Sequence, residues 1–66
     1  MKLIKFVSLN EENNPKKVFI NPLNVETVYQ DNDNADTIIT MISGKDQKVK
    51  IPIDEVLTKL GIEFKP

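Results

Sequence analysis

The 66 residues of this chain include no cysteine, no histidine, no arginine and no tryptophan, and only two glycines. Each absence closes a class of chemistry. Without cysteine there is no disulfide to staple a small fold and no thiolate to hold a structural metal. Without histidine the commonest transition-metal ligand and the usual general base are missing. Arginine is the bidentate reader of phosphate and guanine. Its absence, with nine lysines against ten carboxylates and a net charge of −1, argues against a protein built to coat nucleic acid. Two glycines cannot build a phosphate-cradling loop. No run approaches the roughly 20 apolar residues that span a bilayer. The apolar start, Met1 to Leu9, is broken by Lys2 and Lys5 and has no cleavage site after it. Membrane insertion is not expected, and the chain reads as cytoplasmic.

What is present is one small domain over residues 1–66. A chain this short buries only about 60% of the surface its unfolded form exposes, and its core rarely supplies more than about 3–5 kcal/mol. Good packing or self-association must make up the difference, so a homodimer formed through an exposed strand is a second expectation. Such a chain also leaves little room for a pocket of a few hundred Å³. Ser8 and Ser43 have no histidine to activate them. The carboxylate pairs Glu11-Glu12 and Asp54-Glu55 fall in a loop and a helix start, poorly placed to face one another. No catalytic residue, cofactor or metal site is expected, and the chain does not read as an enzyme.

The hydropathy pattern predicts strands at about 2–9, 16–20, 24–30, 37–43 and 47–51, and a helix at about 53–60. The first strand carries Leu3, Val7 and Leu9 on one face and Ile4 and Phe6 on the other, which suits a central or wrapped strand. The second stops at Asn21-Pro22, where proline removes a ladder donor. In the third, apolar and polar residues interleave on both faces, so its inward face stays open. Thr37 to Ser43 is β-branched or apolar nearly throughout and reads as central. Val49 and Ile51 should point inward, Lys48 and Lys50 outward. Ile53, Val56, Leu57 and Leu60 recur on one helical face. Asp54 and Glu55 in its first turn, Lys59 in its last and Gly61 just past it mark its ends. The expected fold is α+β and mainly β: a four- to five-stranded antiparallel meander or small open barrel with one C-terminal helix.

Two surfaces are candidates for binding a partner. One is the strand face with Lys48 and Lys50, extended by Lys45 in the adjoining turn. Outward lysines also guard strands against edge pairing, which explains them without a ligand. The other is the loop at 31–36, with Asp31 and Asp33 beside Tyr29. It resembles the start of a calcium loop, but that geometry needs an oxygen at the fifth position, glycine at the sixth and glutamate at the twelfth. Ala35, Asp36 and Ile42 stand there, so an exposed hairpin loop is the expectation. Phe6, Phe19, Tyr29 and Phe64 are spread over different elements, as core residues are, with Tyr29 expected to be the most exposed.

The order Val18-Phe19-Ile20-Asn21-Pro22, Val25-Glu26-Thr27-Val28, Asp36-Thr37-Ile38-Ile39-Thr40-Met41, Gly44-Lys45 and Glu55-Val56 resembles the flagellar FlbD/swarming motility (SwrD) family of small bacterial proteins. The resemblance covers roughly residues 17 to 60. It implies a non-enzymatic, protein-binding accessory of flagellar motility and carries over no catalytic residue. Pro52 stands where that family tends to carry a serine. A second resemblance, in Lys48-Val49-Lys50-Ile51-Pro52 leading into Asp54-Glu55-Val56, is to the CsrA carbon-storage regulators, which bind RNA as strand-swapped dimers. Their arginine at the helix start has no counterpart here. A small phage or mobile-element protein that inhibits a host factor is the third expectation.

Overall fold

A computed structural model describes residues 2–9, 12, 14–31 and 36–63. Five strands and one α-helix follow in chain order: β1 (Ile4–Leu9), β2 (Pro15–Ile20), β3 (Val25–Gln30), β4 (Thr37–Met41), β5 (Asp46–Val49) and α1 (Ile53–Leu60). A short 3₁₀ turn, Pro22–Asn24, lies between β2 and β3. All five strands form one antiparallel sheet in the order β2-β1-β5-β4-β3. The expected mainly-β fold with one C-terminal helix is the one observed, and the sheet is not closed into a barrel.

Both edges of the sheet, β2 and β3, are neighbours in sequence. Their directions follow from the pairings: β2 opposes β1, β1 opposes β5, β5 opposes β4 and β4 opposes β3. So β2 and β3 run in the same sense, and the chain bends from one edge onto the other without reversing. Five residue steps reach at most about 18 Å, so the sheet must curl until its edges approach at this corner. The bend is built locally. The Asn21 side chain accepts from the Leu23 amide at 3.0 Å, and Pro22 supplies a preset φ at the first position of the turn.

Curling creates an inner face, where the core sits: Phe6, Ile20, Ile39, Val49, Val56 and Leu60 are buried. Each contributes about 1.5–3 kcal/mol by burial. Helix α1 supplies Val56 and Leu60, while Ile53 and Leu57 on the same stripe are only half-buried. Pro52 precedes the helix and makes no side-chain cap bond. At the other end Gly61 sits at φ 73°, a left-handed backbone that glycine adopts without a Cβ penalty. Its amide donates to the Thr58 carbonyl at 3.1 Å and the Ile62 amide to Leu57 at 3.0 Å, which satisfies two carbonyls the helix end would orphan.

The structure revises several local expectations. Pro15 opens β2 rather than ending the loop before it, a strand-start position proline tolerates. β4 ends at Met41, and residues 42–43 turn toward Gly44. β5 ends at Val49. Ile51 is held instead by the Thr37 hydroxyl, which donates to its carbonyl at 2.6 Å. The β3–β4 register shifts between Val25 and Thr27, a bulge that lets Val25 and Val28, three apart, both pack on the core. On β1 the split is sharper than the apolar pattern implied. Phe6 and Ser8 are buried, whereas Leu3 and Val7 are about half exposed, at 50% and 48%.

Candidate functional site

The loop between β3 and β4 is drawn in at both ends. The Asp31 amide donates to the Asp36 carbonyl at 2.9 Å, and Asp36 is buried, so this end of the loop is not the freely exposed one expected. Lys48 Nζ lies 3.6 Å from the Asp36 carboxylate and 3.9 Å from that of Asp31. Pairs of this kind contribute about 0–1 kcal/mol when solvent reaches them. Their consequence is electrostatic: the Lys48 charge is already matched inside the molecule. Tyr29, Ile38 and Lys48 form one row across β3, β4 and β5. The structure therefore brings together Tyr29, Asp31 and Lys48. It does not join Lys45 and Lys50 to them as one patch, because those two stand exposed at opposite ends of β5. Asp33 and Phe64 lie outside the described residues.

The other half of the sheet has a different character. Neither β1 nor β2 contains a carboxylate, and together they carry Lys5, Lys16 and Lys17. Lys5 pairs with Phe19 and Val7 with Lys17, so these four share the outer face of the hairpin. Phe19 is 60% exposed, more than Tyr29 and contrary to the core role its type suggested. The outer face of the first strand, at least, was signalled by its charge. Lys5 shares a face with Leu3, Val7 and Leu9, while the face of Ile4, Phe6 and Ser8 carries no charge. The uncharged face is the one that can be buried at little cost.

The seam between the two halves is thin. β1 and β5 pair at Ser8 and Val49 alone, reinforced on the buried side by the Ser8 hydroxyl donating to Gln47 Oε1 at 2.9 Å. Beyond it β5 ends, the chain bends at residues 50–51, and a trough is left along β1. One hollow of about 330 Å³ is lined by Phe6, Val7, Leu9, Pro15, Lys50 and Ile51 among others. A second, of about 520 Å³, adjoins Leu3, Ile4 and Lys5. Phe6, Val7 and Lys59 border both. Room of this size was not expected in so short a chain; the bend of the chain after β5 creates it.

Lys59 reaches over the trough from α1. Its ammonium donates to the Lys5 carbonyl at 2.9 Å and stands 4.6 Å from the centroid of the Phe6 ring, a cation–π contact worth about 0.5–1 kcal/mol at an exposed site. No carboxylate among the described residues borders either hollow. Among the described residues no helix is long and apolar enough to cross a membrane. No protein-family model, no curated protein and no solved structure matches this chain.

Proposed function

We propose that this chain is a small non-enzymatic module that binds a protein partner through its β1–β2 half. The observation behind this is the hairpin itself: Leu3 and Val7 stand about half exposed and Phe19 more so among Lys5 and Lys17, with no carboxylate in either strand. Apolar side chains rimmed by charge mark interaction surfaces more often than idle ones. Edge strand β2 adds unpaired backbone groups beside them. The resemblance to the flagellar FlbD/SwrD family extends the reading to a motility accessory. The RNA-regulator reading draws on Lys45, Lys48 and Lys50, and it is weaker because Lys48 is matched by Asp31 and Asp36.

Affinity capture of the tagged chain from its own cells, after ribonuclease treatment, tests the proposal. The wild type should recover a specific protein that a Phe19→Glu variant with unchanged thermal stability does not. Recovery of that protein by both variants, or loss of all partners to the nuclease, would overturn it.

A further inference from the structure

The hairpin's second edge, on the side of β1 away from β2, carries more information about the partner than its outer face. After the Ser8–Val49 pair the stretch Ile4–Val7 has β2 on one side and the trough on the other. From Leu3 to Val7 this open edge runs about 13 Å at roughly 3.3 Å per residue, the length of some four extended residues. Its floor is apolar, and among the described residues the charged groups that line it are Lys5, Lys50 and Lys59. The Lys5 carbonyl, which a neighbouring strand would use, is instead taken by the Lys59 ammonium.

We infer that this trough holds an extended acidic segment of a partner protein, added as a strand along β1, with an apolar side chain beside Phe6 and carboxylates against Lys50 and Lys59. The inference rests on the binding-module reading and names the chemistry of the partner. An ammonium has three donors, so Lys59 can turn to a carboxylate while a partner amide takes over the Lys5 carbonyl. Strand addition supplies that amide, and side chains at alternate positions meet the floor. A second copy of this chain is disfavoured, because pairing β1 edges would bring two sets of Lys5 and Lys59 together. A nucleic acid would match the lysines and leave the apolar floor unfilled.

The probe is a fluorescein-labelled hexapeptide of alternating glutamate and leucine, titrated against the ¹⁵N-labelled full chain. Saturable binding is expected, with amide shifts centred on Lys5, Val7 and Lys50. Lys59→Glu should weaken it about tenfold or more, as reversal of a contacting charge does. Lys59→Met keeps the stem over Phe6 and should give an intermediate affinity, with a melting temperature lower by no more than several degrees for the lost ammonium contacts. Equal affinity for a lysine-and-leucine hexapeptide would overturn the inference. So would shifts confined to β2 or to the Tyr29 row, displacement by an oligouridylate, or no saturation at millimolar peptide. If the hexapeptide fails while Phe19→Glu still abolishes capture, the trough is dismissed and the binding module stands.

Discussion

At the scale of single residues, exposure separates neighbours that the sequence presents as equals. Leu57 and Leu60 lie on one helical stripe, yet Leu60 is 5% exposed and belongs to the core, while Leu57 is half-buried. Leu60→Ala should cost about 2–5 kcal/mol, the usual range for a buried leucine. In a domain of this size that approaches the whole stability. Leu57→Ala should cost clearly less, since less surface returns to water. Urea denaturation of both variants checks the order, and equal midpoints would contradict the packing described. Phe19 makes the opposite point. Its aromatic ring suggested core, but its face is fixed by Lys5 across the strand pair, a partner that no local pattern names. Lys48 is similar: its two carboxylates come from the ends of a loop before β4, so a sequence reading sees three lysines where the molecule offers two unmatched by those carboxylates.

At the scale of elements, local chemistry made most of the structure legible. Helix α1 spans the predicted residues because its signals are all local: an apolar stripe, acidic first turn, Lys59 in the last turn and Gly61 beyond. The inward face of β3 could not be read because the bulge between Val25 and Thr27 breaks the two-residue period on which such readings depend. The end of β5 was overrun because Ile51 keeps the alternation while its partner is a threonine hydroxyl, not a ladder. One local weakness is visible in both sequence and structure. Pro52 offers no side-chain acceptor to the first turn of α1. Pro52→Ser should therefore be more stable than Pro52→Ala by about 1 kcal/mol, the worth of an N-cap hydroxyl. Comparing the two variants with each other removes the proline's own effect on the unfolded chain. In a domain this small the difference should appear as about 4–8 °C in melting temperature, and coincident melting curves would show that the first turn is satisfied another way.

At the scale of the whole molecule, the sheet consists of a basic hairpin and a three-stranded meander, joined by the bend at residues 21–24 and by the seam at Ser8 and Val49. The trough was invisible in the sequence because its walls, β1 and Lys59, stand 54 residues apart. The seam should be the least stable part of the sheet. Local opening is cheapest where fewest backbone pairs must break, so amide exchange at Val7 and Leu9 should be faster than within β4, which is paired on both sides. Ser8→Ala leaves Gln47 Oε1 without its donor and should accelerate that exchange further, at a cost of about 1–3 kcal/mol. Exchange as slow at the seam as in β4 would refute this weakness.

The same seam sets the order of events in time. Hairpins such as β1–β2 and β4–β5 close within about 1–10 μs, whereas bringing Ser8 to Val49 requires most of the chain to be gathered first, and contacts so distant in sequence slow folding. On a ribosome, the core cannot be completed until Leu60 has emerged, so the apolar groups of β1 wait in solvent until the helix that covers them has been made. Phe6 is thus made before the other buried residues described, yet is among the last to be sheltered.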